Sequence, residues 1–172
     1  TFLIEIFNEF YKLNPNSRLA IIGTGTMEVE CRALVRKLNL DDRVLFLGMQ
    51  KETSNYYSMF DIFLFPSLFE GLGVVLVEAQ AAGLQCLVSN AVPDEVMITP
   101  LVEKHQLSDS THSWAEHLMK MVTQKINNRK VNDYSEQLVL AGYDIKETLL
   151  LADEQLLLEK ELMRLSDQRQ VN

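Results

Sequence analysis

The sequence predicts an α/β protein, a parallel sheet sandwiched by helices, from three observations. Apolar runs of strand length alternate four times with segments of helical periodicity. Those runs end in turn-forming residues: Gly23-Thr24-Gly25, Gly48, Pro66-Ser67 and Ser89-Asn90. One unit, 61–82, reads as strand, acidic glycine turn and apolar helix in that order. Such a unit aims helix N–H groups at whatever lies beyond the carboxyl end of the strand.

The elements follow in order. Residues 2–13 carry apolar side chains at 2, 3, 6, 7, 10 and 13, which is helical spacing, and Asn14-Pro15-Asn16 stops the helix. A strand at 18–22 leads into Gly23-Thr24-Gly25. Residues 27–38 form a helix with Cys31, Leu34, Val35 and Leu38 on one face. A second strand covers 44–47 and closes at Gly48. A short helix over 52–59 has Tyr56, Met59 and Phe60 as its apolar side. The third strand, 61–65, precedes the helix from about Gly73, which Gly83 ends as a C′ residue. A fourth strand follows at 86–88. Past Pro93 the pattern loosens: 95–99 predicts a short edge strand, and 111–122 a helix around Trp114, Leu118, Met121 and Val122. Residues 127–140 continue as helix to a break at Gly142. Asp144 caps a long helix to about Leu165, whose Leu149–Leu151 and Leu156–Leu158 expose enough apolar surface to pack on another domain. The domain thus covers 1–165, with 166–172 as a frayed tail. The chain starts as if inside a helix, so the expectation is a piece of something longer.

Composition narrows the classes of function. A formal net charge of −8 argues against nucleic acid or anionic lipid as the partner of this domain, since both call for a basic face. No stretch approaches the roughly 18 apolar residues that span a bilayer. The two cysteines, Cys31 and Cys86, lack metal-ligand spacing, and Cys86 lies in an apolar run as a core thiol does. His105, His112 and His117 show no ligand-like clustering and read as surface or helix residues. There is no Ser/Cys-His-acid set, and Trp114 reads as core or interface packing.

Parallel α/β sheets bind ligands beyond the carboxyl ends of their strands. Here that edge comprises the loops 23–26, 48–51, 66–73 and 89–95. Gly23-Thr24-Gly25 lacks a third glycine two residues on, where Glu28 stands, so by itself it is a turn. Gly71 and Gly73 are either turn residues or the means by which a phosphate approaches a helix N-terminus. Glu70 is either a charged loop residue favourable beside that terminus or an acceptor for sugar hydroxyls. Glu78 sits five residues into an apolar helix, between Val77 and Ala79. It either faces solvent or accepts hydrogen bonds from a vicinal diol such as a ribose.

Glu70, seven residues, then Glu78, with Gly71 and Gly73 between, resembles the signature of the retaining nucleotide-sugar glycosyltransferases of family 4, also called group 1. Phe65-Pro66-Ser67-Leu68-Phe69-Glu70-Gly71 and Glu78-Ala79-Gln80-Ala81-Ala82-Gly83 carry the resemblance. Val92-Pro93-Asp94-Glu95 and Gly142-Tyr143-Asp144-Ile145 are similar to the bacterial branch that builds capsular and exopolysaccharides. The resemblance implies a Rossmann-like domain, the C-terminal, donor-binding half of a GT-B enzyme whose N-terminal acceptor domain lies outside this chain. It implies that Glu70 contacts the transferred sugar as the catalytic residue, and that amides from Gly71, Leu72, Gly73 and Val74 contact the diphosphate. Glu78 would hold the ribose, and the base would lie near Gly23, Gly25 and Met49. The donor would be a nucleotide-diphosphate sugar, with a UDP-sugar the expectation at family level, no metal and no other cofactor. The acceptor would be a glycan or a lipid-linked glycan, and the location cytoplasmic or peripheral at the inner membrane face. A GT-B epimerase and a non-catalytic nucleotide-sugar binding module are the alternatives; the epimerase needs further acid and base residues. The Arg and Lys with which the family neutralises the diphosphate fall before the point matching Thr1, so this chain alone is expected to bind donor weakly and not to turn over. Gly73, Gln85 and Asn90 stand where the capsular branch often has Pro, Pro and Asp, which would make the Gly73 turn looser.

Overall fold

The computed structural model describes residues 1–69, 73–127 and 134–143. Its elements alternate as the sequence predicts: α1 (Phe2–Leu13), β1 (Leu19–Ile22), α2 (Glu28–Lys37), β2 (Val44–Gly48), α3 (Ser54–Tyr57), β3 (Ile62–Phe65), α4 (Val74–Ala81), β4 (Gln85–Ser89), β5 (Val102–His105), α5 (Thr111–Asn127) and α6 (Ser135–Leu140). The named strands pair in parallel: β1 with β2, and β3-β4-β5 in that order. The backbone ladder is thus in two parts, one of two strands and one of three, among the described residues.

Side chains unite what the ladder divides. Successive residues of a strand point to opposite faces. Leu19, Ile21, Val44, Phe46, Ile62, Leu64 and Leu87 join one apolar layer, shared with α1, α2 and α5. On the other face Phe63, Phe65, Cys86 and Val88 pack with Leu76, Val77 and Ala79 of α4 and with Leu138 of α6. Helices therefore cover both faces, as a parallel sheet requires. Burial pushes the Cys86 thiol well above the ordinary cysteine range, so it is a core thiol as its apolar run predicts. Trp114 is fully buried between α5 and α1, edge-on to Phe2 at 6.0 Å.

Three local readings change. The predicted edge strand at 95–99 is instead a single 3-10 turn, Asp94–Val96, and the edge strand is β5. Its sequence, Val-Glu-Lys-His, hides it, because a polar edge strand carries no apolar run. In α3 the buried aromatic is Tyr57, while Met59 is 68% exposed. A helix of four residues ends before Met59 can turn back toward the sheet. Helix α5 runs on to Asn127 rather than stopping near Val122. The predicted helix at 127–140 is described only as α6, and the long leucine-rich helix from Asp144 and the tail lie outside the described residues.

Gly83 ends α4 as predicted. It lies at φ +71°, its N–H donates to Gln80 O at 2.9 Å, and Leu84 N–H reaches back to Ala79 O at 3.0 Å. This is the paired bonding of a Schellman cap, which needs a left-handed residue.

Two of the three histidines do not stay apart as expected. His105 ends β5 and His117 lies on α5, and their Nδ1 atoms are 3.0 Å apart. His117 Nε2 is 2.8 Å from Glu103 Oε2, while His105 Nε2 faces Ser113 Oγ at 3.1 Å and Asp109 at 3.3 Å. Among the described residues no group of three or more ligands is arranged to hold a metal. The cluster instead fastens α5 to the sheet edge. A twelve-residue separation, with one partner on a strand unreadable as such, gave the sequence no way to pair them.

The His105 imidazole is held below its ordinary range, first by burial and then by the facing His117, with Asp109 acting the other way. Below an unfolded-state value of about 6.5 the unfolded chain takes up this proton more readily than the folded one. The contribution is therefore intact above that value and is lost as pH falls below it. Urea unfolding is expected to show lower stability at about pH 5.5 than at about pH 7.5, and His105→Gln is expected to flatten the difference.

Candidate functional site

The loops after β1 and β2 meet at their glycines. Gly23 N–H donates to Gly48 O at 2.8 Å, closing an isolated bridge just past the ladder, with the two residues at φ +117° and +65°. The predicted base-side residues are thus neighbours: Gly23 is joined to Gly48, and Met49 follows, half-exposed. Gly25 is open, with no atom near its Cα that a side chain would meet. Beyond Met49, Gln50 is tied to Leu47 O by its amide nitrogen at 2.6 Å and to the Tyr56 hydroxyl by its amide oxygen at 2.9 Å. Helix α3 therefore fixes the loop that leaves β2.

The other half of the site is the start of α4. Gly73 is its N-cap residue, at φ +59° and ψ +27°, so the helix opens from a left-handed residue. Leu76 and Val77 N–H return to Gly73 O, while the N–H groups of Val74 and Val75 lie at the helix N-terminus, where intrahelical acceptors end. A proline cannot adopt this φ, so the backbone enters α4 by a route the Pro-bearing pattern does not use. Gly73 itself is closely approached. A Cβ on Gly73 would come within 3.1 Å of Val96 Cγ2. Gly73→Ala combines that crowding with left-handed strain, and is expected to cost about 1–2 kcal/mol in thermal unfolding. Glu70, Gly71 and Leu72 lie outside the described residues.

Glu78 is half-buried on the first turns of α4, and it faces α3 rather than open solvent. Its Oε2 accepts from Tyr57 Oη at 3.0 Å and from Thr53 Oγ1 at 3.3 Å. These three residues line a cavity of about 270 Å³ together with Val77, Ala81, Ala82, Leu138 and Tyr143. Sequence reading missed Tyr57 and Thr53, because nothing local connects residues 21 and 25 positions away from Glu78. It also missed Gln80, which ties α4 to the loop after β4. Asn90 ties the end of β4 to the segment after β5: its Oδ1 accepts from Leu107 N–H at 3.0 Å.

The architecture and this strand-to-helix site define a parallel α/β domain of the kind found in GT-B glycosyltransferases. The chain belongs to the glycosyl transferases group 1 family, which matches residues 1–160. EpsF of Bacillus subtilis (strain 168), which carries the name of a glycosyltransferase, is 33% identical over 149 residues, or 86% of this chain and 38% of EpsF. A UDP-Gal:alpha-D-GlcNAc-diphosphoundecaprenol alpha-1,3-galactosyltransferase of Escherichia coli is 37% identical over 79 residues, covering 45% of this chain and 20% of that enzyme. In fold, the chain is similar to the pneumococcal O-GlcNAc transferase GtfA, solved in complex with UDP and GlcNAc. The TM-score is 0.64 at 19% identity, over 90% of this chain and 32% of GtfA. The chain thus spans less than half the length of these relatives. No helix among the described residues is long and apolar enough to cross a membrane.

Proposed function

We propose that this chain is the donor-binding domain of a retaining glycosyltransferase that moves a sugar from a nucleotide diphosphate to a glycan or lipid-linked acceptor in surface polysaccharide synthesis. The observation that carries the reading is Glu78. The one carboxylate of α4 is turned toward α3 and lines a cavity beside it, about one turn in from a helix N-terminus that opens from glycine. A half-buried carboxylate is costly unless it is hydrogen-bonded, and one with acceptor capacity left over suits a vicinal diol.

In this reading the nucleotide lies along the carboxyl edge of the strands. Its base rests against Gly23, Gly25 and Met49, and its ribose hydroxyls donate to Glu78. Its diphosphate meets the amides of Gly71, Leu72, Gly73 and Val74 at the α4 N-terminus. Glu70 contacts the transferred sugar. As the sugar departs, charge develops on the diphosphate, and a helix N-terminus stabilises charge at that place without reorganisation. The reading requires no metal. Acceptor binding falls to a second domain, and the enzyme works in the cytoplasm or at the inner membrane face. Support comes from family membership and from GtfA, a protein of similar fold solved with UDP and GlcNAc.

The test is titration with UDP and UDP-glucose, followed by amide NMR. Shifts are expected at Gly23, at Gly48 and Met49, and from Gly71 to Glu78. Glu78→Ala is expected to weaken UDP about tenfold through loss of the ribose contact. Glu70→Ala should weaken UDP-glucose more than UDP. Equal affinities in wild type and both variants would overturn the assignment.

A further inference from the structure

We infer that Tyr57, with Thr53, is a positioning residue that sets the Glu78 carboxylate for the ribose diol; the inference rests on the donor-site reading above. Glutamate has three side-chain torsions, and on a helix surface it samples several rotamers. Any rotamer freedom remaining before binding must be lost upon binding, at the expense of affinity. Here the freedom is already restricted. Tyr57 Oη and Thr53 Oγ1 converge on the same oxygen, Oε2, at 3.0 and 3.3 Å. A carboxylate offers two oxygens with about four acceptor positions, so two donors on Oε2 fix the group while leaving capacity for a diol.

Tyr57 suits this task because its own position is settled. Its side chain is buried, its ring meets Phe63 edge-on at 6.0 Å, and it belongs to the layer formed with α4. Its hydroxyl also lies 3.3 Å from Val75 O, but a phenol has one proton, and the nearer, charged Oε2 is the stronger acceptor. Burial, and next the neighbouring carboxylate, hold the phenol above its ordinary range, so it stays a donor at any working pH. The adjacent Tyr56 holds Gln50 in the loop leaving β2. Two consecutive tyrosines on α3 thereby couple the base-side loop to the ribose-side carboxylate.

The experiment compares UDP with 2′,3′-dideoxy-UDP, titrated into the chain and its variants. The ratio of the two affinities isolates what the diol contributes. Wild type is expected to prefer UDP about tenfold. Tyr57→Phe keeps the ring and removes only the hydroxyl. It should lower that preference about threefold, with dideoxy-UDP binding unchanged. Thr53→Val should act in the same sense, more weakly, because its contact is longer. Loss of affinity for both nucleotides at a constant ratio would overturn the inference, since a purely structural tyrosine acts that way. So would a Tyr57→Phe ratio equal to that of wild type. If Glu78→Gln leaves the ratio unchanged, or wild type shows no preference for UDP, the donor-site reading itself fails. A failure confined to Tyr57→Phe would leave that reading standing.

Discussion

Gln80→Leu is expected to destabilise the domain by about 3–5 kcal/mol, from several unpaired buried groups at about 1–3 kcal/mol each, offset by the added apolar burial. Gln80 is fully buried on α4, and its amide makes five hydrogen bonds. The oxygen accepts from Ile98 N–H, Thr99 N–H and Thr99 Oγ1, each at 3.0 Å, while the nitrogen donates to Leu76 O at 3.1 Å and Val96 O at 2.8 Å. Leucine matches the size but leaves those partners unmet. Gln80→Glu is also expected to destabilise, because a carboxylate keeps the acceptors but gives up both donors and would bury a charge. Urea unfolding measures both losses. The effect should reach the site as well. Val96 is the residue packed against Gly73, so loosening the 94–99 segment loosens the entry into α4. Reduced UDP affinity in Gln80→Leu, under conditions where it is still folded, would show that coupling. A loss below about 1 kcal/mol would mean that water replaces the amide and that the site is wetter than its burial implies.

Trp114→Ala is expected to cost a similar amount, about 3–5 kcal/mol, for a different reason. The indole is fully buried where α5 meets α1 and the end of β5. It contacts Phe2 edge-on and His105 at 4.9 Å between ring centroids, and its Nε1–H donates to Gln106 O at 3.0 Å. Alanine would leave a large cavity where α5 meets α1. Against a total stability of about 5–15 kcal/mol, this takes a third or more. Trp114→Phe should lose less, keeping most of the volume while leaving the Gln106 carbonyl without its donor. Thermal unfolding by far-UV circular dichroism measures both. In the parent chain the single tryptophan also reports docking of α5 through its fluorescence. Equal midpoints for wild type and Trp114→Ala would show that α5 contributes nothing to the cooperative unit.

Much of the fold was legible because its signals are local. Helix α1 is bounded by an apolar stripe and by Pro15, and both features lie within the segment itself. The carboxyl-edge loops are marked by Gly23, Gly48 and Gly73, and all three prove to have positive φ, which an L side chain rarely adopts. Glu78 was legible as an exception: a charge in an apolar helix has either a partner or an exit to water. Strand β5 was not legible. Its pairing with β4 comes from backbone hydrogen bonds, which any sequence can make, and three of its four side chains are polar, so no apolar run marks it.

Local pattern thus determined which segments are helix or strand, where the turns fall, and that residues 61–82 form one strand-turn-helix unit. These follow from torsional preferences and from the periods of 3.6 and 2, which a chain expresses over a few residues. Only the tertiary structure decided the partners. Tyr57 with Glu78, Gln80 with the 96–99 segment, His105 with His117 and Val96 with Gly73 all join residues from separate elements. Such pairs depend on how elements stack, and stacking is set by the summed burial of many side chains rather than by any residue's neighbours in sequence.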